Sequence, residues 1–136
     1  MIGTEQREQL LTLAQEARDR SYSPYSHYAV GAALLTKDGK VYQGCNIESA
    51  SFTPTICAER TAFFKAVYDG ERAFEAIAVI GSGDSPAYPC GVCRQVMAEF
   101  CDGDFLVITS NKDRSFVDPK LLKELLPNSF GPKDMA

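Results

Sequence analysis

Pro89-Cys90-Gly91-Val92-Cys93-Arg94-Gln95 sets two cysteines in C-x-x-C spacing at the mouth of a helix. Pro89 and Gly91 interrupt what precedes them, and Val92, Val96, Met97 and Phe100 then recur at helical spacing. A C-x-x-C at a helix N-terminus serves either as a redox dithiol or as half of a zinc site. Upstream, Cys57-Ala58-Glu59-Arg60 opens a second helical run and can add a third thiolate, with a carboxylate two residues beyond it. A thioredoxin-like pair would leave Cys57 and Glu59 without a use. Three sulfurs and a nearby acid fit a zinc ion whose fourth position stays open, which marks a catalytic metal and not a structural one. The plainer readings are a four-sulfur structural site closed by Cys45 or Cys101, or unpaired core thiols; on their own, Cys45 and Cys101 read as small buried hydrophobes.

Outward from these two helices, 136 residues make one domain, 1–136, able to bury roughly two-thirds of its unfolded surface. With 45% apolar and 24% charged residues, the composition is that of an ordinary globular chain. No run of about 18 apolar residues exists, so no transmembrane helix is expected. Met1 to Arg20 is too polar for a secretory signal. Five cysteines, two in a C-x-x-C, favour reduced thiols and a cytoplasmic setting over a disulfide framework. The net charge of -4 leaves no basic footprint for a polynucleotide. No nucleic-acid or membrane partner is therefore expected.

In chain order, Thr4 to Arg20 predicts an amphipathic helix, with Leu10, Leu13, Ala14 and Ala17 on one face. Ser21 to Ser26 breaks it. Tyr28 to Leu35 is almost wholly apolar and predicts a strand covered on both faces. Asp38-Gly39 turns it into a hairpin returning over Val41 to Cys45. A deeply buried helix follows over Cys57 to Tyr68, stopped at Gly70. Phe74 to Ile80, the helix from Cys90 to about Cys101, and Phe105 to Thr109 form a crossover that makes its two strands parallel. A short fifth strand is expected at Ser115 to Val117. Asp118 should then cap a last helix, with Pro119 at its first position, running through Leu126. The order implies an α/β fold, a three-layer α/β/α sandwich around a mixed five-stranded sheet. Sites in such sheets form at strand ends and helix N-termini, where both cysteine-bearing helices begin.

Three thiolates on a divalent cation leave a formal charge of about -1, which would raise the pKa of bound water unless something offsets it. Two helix N-termini supply partial positive charge. Arg60, one turn after Cys57, can donate to the sulfurs, and Gln95 is a further candidate donor. Glu59, in the opening turn, can face the metal-bound solvent and move its proton to a substrate atom. Alone, Glu59 would be a helix-dipole acid, Arg60 a solvated charge and Phe130 a docking anchor for the tail. His27, the only histidine, has no second imidazole to work with and reads as a loop residue.

Cys57-Ala58-Glu59 with Pro89-Cys90-x-x-Cys93 resembles the signature of the zinc-dependent nucleoside deaminases, a site described in general terms for that family. Pro24-Tyr25-Ser26, Val30-Gly31-Ala32-Ala33, Asn46-Ile47-Glu48, Cys57 through Thr61, Pro89 through Val96 and Glu124-Leu125-Leu126-Pro127 resemble, in order and spacing, the short single-domain cytidine deaminases. The resemblance implies a cytidine deaminase-like fold and one zinc per subunit on Cys57, Cys90 and Cys93. It implies that zinc hydroxide attacks C4 of cytidine or 2′-deoxycytidine while Glu59 protonates N3 and then serves the departing ammonia, a pyrimidine-salvage reaction. It places Asn46 and Glu48 at the ribose, Tyr28 and Phe130 around the base, and Ala58 in the substrate site. Ala50 and Phe52 fall on a loop facing a neighbouring subunit's pocket in a homotetramer. Tyr28 stands where phenylalanine is common in the family, and Phe52 where tyrosine is common. A deaminase of a cytosine-containing antibiotic such as blasticidin, and a non-catalytic zinc module, are the alternatives.

Overall fold

Gly31–Thr36 is buried at every residue and forms β1, an interior strand of the sheet. A computed structural model describes residues 1–135. β1 pairs antiparallel with β2 (Val41–Cys45) on one side and with β3 (Phe74–Ile80) on the other. β3 runs parallel to β4 (Leu106–Ser110), and β4 antiparallel to β5 (Val117–Leu121), giving the order β2-β1-β3-β4-β5. The mixed five-stranded sheet and the parallel crossover stand as expected. The hairpin turn puts Gly39 at φ +91°, which an L side chain resists.

Helices cover both faces. α1 (Thr4–Arg18) lays Leu10, Leu11 and Ala14 on Ala33, Leu35, Ala76, Ala78 and Ile80. On the other face, α2 (Ala58–Tyr68) and α3 (Gly91–Phe100) pack on Ala32, Leu34, Ile77, Val79 and Val107. Phe63 of α2 is the hinge of that layer. Its ring meets Phe74 edge-on at 5.1 Å and stacks with Phe100 at 6.3 Å. Burying such a ring contributes roughly 1.5–3 kcal/mol, with about 0.5–1.5 kcal/mol more per aromatic pair. Among the described residues no helix is long and apolar enough to cross a membrane.

Two differences from the sequence expectation have local causes. The first strand begins at Gly31, not Tyr28, because Asn46 Oδ1 takes the Val30 N–H and Asn46 Nδ2 the Tyr28 carbonyl. β5 covers Val117–Leu121 and not the expected Ser115 to Val117, so Asp118 and Pro119, expected to open the last helix, lie inside it, opposite Thr109 and Ile108. β5 is an edge strand, where a proline's missing N–H can face solvent. The Asp118 carboxylate accepts from the Tyr88 hydroxyl and from Lys120 Nζ, so it caps nothing. α4 (Leu122–Leu125) is a single turn whose opening N–H, that of Leu121, is taken by Glu124.

β2 and β3 are both antiparallel to β1 and so point the same way. The N-termini of α2 and α3, which follow them, therefore open on one edge of the sheet. α2 is pressed hard onto β2: a Cβ at Gly44 would stand 2.4 Å from Ala58 O and 2.6 Å from Ala62 N. Both atoms are helix backbone, so relief requires moving α2 itself. Gly44→Ala is expected to cost about 1–3 kcal/mol in urea denaturation and to lower metal content, because α2 carries Cys57 at its cap. A variant with unchanged midpoint and full metal content would show that α2 is free to shift.

Candidate active site

Cys57 and Cys90 occupy the N-cap positions of α2 and α3, with extended backbones (ψ 155° and 169°). Cys93 sits in the first turn of α3, buried. The three sulfurs lie within 4.8 Å of one another, and Cys57 Sγ is 3.7 Å from Cys90 Sγ. Tetrahedral metal–sulfur bonds of about 2.3 Å would separate neighbouring sulfurs by about 3.8 Å, so this edge fits zinc. Among the described residues no fourth His, Cys, Asp or Glu donor joins the cluster. Cys45 and Cys101 lie elsewhere, half-buried. Burial pushes the Cys101 thiol up to about 12.

The charge around the sulfurs is arranged to hold thiolate. Hydrogen bonding with Cys93 first, then with Arg60 and Cys90, pushes the Cys57 thiol down to about 5 against its burial. Cys93, its partner in that bond, is pushed up by the bond and by burial. Arg60 Nη2 donates to Cys57 Sγ at 3.5 Å, while its buried Nε has no partner. Glu59 is only 4% exposed. Burial raises its carboxyl to about 7, with the Cys57 charge adding to the rise.

A second group gathers beside it. Ile47 exchanges backbone hydrogen bonds with Ile56, both at 3.0 Å, which fixes the 46–48 segment next to Cys57. Glu48 Oε1 accepts from the Tyr25 and Ser26 N–H groups at 3.0 and 3.1 Å, and Oε2 from the Ser26 hydroxyl. The Ser26 hydroxyl first, then these N–H groups, hold the Glu48 carboxyl below its usual range. Tyr25, Ser26, Glu48, Phe52 and Thr55 line a cavity of about 400 Å³, with the Tyr25 and Phe52 rings edge-on at 6.2 Å. Phe52 is 70% exposed at φ +65°, a strained conformation for a bulky residue, and Ala50 is exposed on the same loop. Tyr28 is 38% exposed; the burial of the rest of the ring first, then the neighbouring Glu59 charge, raises its phenol.

Several residues stand differently from expectation. Gln95 donates to Phe130 O at 2.8 Å, so its amide is spent on the tail and not on a sulfur. Asn46 is largely committed to the fold: Oδ1 accepts from the Val30 N–H and the Ser21 hydroxyl, and Nδ2 donates to Tyr28 O. Ala58 is wholly buried among the core residues, so its side chain has no surface for a substrate. Ser26 and Arg94 were not singled out from sequence. Arg94 ties Pro89 O (2.8 Å) to Leu125 O (2.6 Å), bracing the turn that carries Cys90. A hydroxyl donating to a carboxylate and a guanidinium donating to main-chain carbonyls leave no periodic signal; only the Pro24-Tyr25-Ser26 break points to the first. Removing the charge beside Cys57 should weaken the metal site while leaving the fold intact. Arg60→Ala is expected to lower zinc affinity by about 10–100-fold in chelator competition, and unchanged affinity would refute the charge offset.

A family model described as the cytidine and deoxycytidylate deaminase zinc-binding region matches residues 4–109. The cytidine deaminase of Sporosarcina psychrophila is 47% identical over 129 residues, 95% of this chain and 94% of the relative. That of Halalkalibacterium halodurans is 49% identical over 129 residues, 95% and 97% of the two chains. The crystal structure of cytidine deaminase from Burkholderia pseudomallei superposes with a TM-score of 0.87 at 46% identity, covering 90% of this chain and 98% of that one. The fold, the sulfur cluster and these matches agree, and the chain belongs to the cytidine and deoxycytidylate deaminase family.

Proposed function

We propose that this chain is a zinc-dependent enzyme that hydrolyses cytidine and 2′-deoxycytidine to uridine and 2′-deoxyuridine, releasing ammonia. The observation that carries the reading is the three-sulfur cluster at two helix mouths with one buried carboxylate, Glu59, in the first turn beside it. Zinc held there by Cys57, Cys90 and Cys93 supplies a Lewis acid that makes solvent nucleophilic near neutral pH. Glu59 takes one proton from the water that adds at C4 and delivers it to ring N3, then takes the second from the new C4 hydroxyl and passes it to the exocyclic amine, which leaves as ammonia as the C4–N bond breaks. Water oxygen thus replaces the exocyclic nitrogen. Burial keeps the Glu59 carboxyl out of competing solvent. Glu48, pre-aimed by Ser26 and two N–H groups, accepts from a ribose hydroxyl, with the remaining Asn46 N–H as a second contact. Tyr28 walls the base.

One domain spanning 1–136 carries this activity, acting in pyrimidine salvage in the cytoplasm. Phe52, Phe64, Tyr68 and Phe130 are exposed apolar side chains, and Phe64 and Tyr68 line an apolar groove along α2 with Ile47 and Ile56. Their exposure supports a homotetramer in which neighbouring subunits cover these rings and bring Ala50, Phe52 and Phe130 to adjoining sites.

The decisive experiment measures bound metal and ammonia release on one purified sample. Glu59→Gln is expected to keep about one zinc per chain and lose about 10²–10⁴-fold in kcat, whereas a purely structural metal site would leave it and the unaltered protein equally inert. Ser26→Ala tests the ribose side. Without the hydroxyl, the Glu48 carboxyl returns toward its ordinary value of 4.5 and protonates at higher pH. KM for cytidine should rise several-fold at neutral pH, and its acid-side increase should begin at higher pH than in the unaltered enzyme. A coincident KM profile for the two proteins would remove Glu48 from binding.

A further inference from the structure

Gly81 follows the last residue of β3 and has no positive φ, so its backbone does not require glycine. A Cβ there would stand 2.3 Å from Tyr28 Oη, 3.1 Å from Tyr28 Cζ and 2.9 Å from Ala87 Cβ. The phenol end of Tyr28 thus fills the volume that any side chain at position 81 would occupy. Gly83 flanks the same ring: a Cβ there would meet Tyr28 Cε2 at 3.4 Å.

The glycine side of this contact is rigid. Arg18 Nη1, from the far side of the sheet, donates to Gly81 O at 2.7 Å and to Lys112 O at 2.8 Å. Gly81 N and Ala87 N both donate to Ser110 O, and the Ser82 hydroxyl donates to Ala29 O. The main chain of Tyr28 is held as well, its N–H by Ser26 Oγ at 3.1 Å and its carbonyl by Asn46 Nδ2 at 2.8 Å. What remains free to move is the Tyr28 ring, turning about its side-chain bonds beside Glu59. A collision at 81 is therefore passed to the ring.

We propose that Gly81 is a positioning residue for the deamination: having no side chain, it seats the Tyr28 hydroxyl and so sets how far that ring stands into the base pocket. The inference rests on the function proposed above. It also accounts for how this chain carries a tyrosine on the pocket wall, since the added oxygen is taken up by the missing side chain next to it.

The test is a double-mutant cycle on zinc-loaded enzyme. Gly81→Ala is expected to lower kcat/KM for cytidine about tenfold or more, mostly through KM, with zinc content unchanged. In the Tyr28→Phe background, where the nearest atom is gone, the same Gly81→Ala change should cost less than about threefold relative to Tyr28→Phe alone. An undiminished loss in that background would overturn the proposal, placing the collision at Ala87. Wild-type kinetics for Gly81→Ala would overturn it too, as would a Tyr28→Phe enzyme without turnover, whose hydroxyl would then be acting on substrate. If Gly81→Ala is insoluble, recovery of soluble, zinc-loaded Tyr28→Phe/Gly81→Ala supports the proposal and its failure to fold overturns it. Failure of the functional reading is distinct, since it would show as absent turnover before any substitution is made.

Discussion

Mutual repulsion among sulfurs is the constraint that organises this molecule. Three cysteine sulfurs stand within 4.8 Å of one another, a spacing at which thiolates cannot coexist without nearby positive charge. Two sources of that charge are built into the backbone, because Cys57 and Cys90 occupy the N-cap positions of α2 and α3, at the positive ends of both helices. Arg60 adds a full charge from within the first turn of α2. A divalent cation and three thiolates sum to -1, and the guanidinium brings the local sum to zero. The buried, unpartnered Arg60 Nε shows the cost accepted to keep that charge beside the sulfurs.

The sheet exists, from the standpoint of the site, to bring two helix ends together. β2 and β3 flank the same strand and share a direction, so the helices that follow them start on one edge. Fine placement comes from contact and not from topology. Gly44 lets α2 lie directly on β2, and Arg94 braces the Pro89 carbonyl just before Cys90. A change at either position would alter the sulfur triangle without touching a sulfur. This is why the glycine and the guanidinium belong to the site as much as to the fold.

Most of the architecture could be read from sequence because apolar periodicity carried it. The strand Phe74–Ile80 and the return strand Val41–Cys45 have the boundaries their residues imply, and both cysteine helices begin within one residue of expectation. The C-terminal quarter was less legible. Asp118-Pro119 carries the local signature of a helix start, yet pairing with β4 and the pull of Tyr88 and Lys120 on Asp118 outweigh that propensity. The sulfur triangle was legible because metal ligands must be particular residue types at particular spacings. Gln95 and Asn46 were only partly legible, for one reason. An amide close to a site in sequence is free to bond elsewhere, and these two bond to Phe130 O and to the Tyr28–Val30 backbone.

The site's two carboxyls show environment dividing labour between identical chemical groups. Glu59 and Glu48 are both glutamates near the same helix mouth, yet one is raised and the other lowered. Glu59 is enclosed, so burial penalises its charge and favours a group that can carry a proton. Glu48 is only partly enclosed and receives a hydroxyl and two N–H groups, so its charge is stabilised and it serves as a fixed acceptor. Exchanging the two environments would leave the composition of the site unchanged and its chemistry lost. What the sequence specifies here is therefore less a pair of acids than the two different cavities in which they stand.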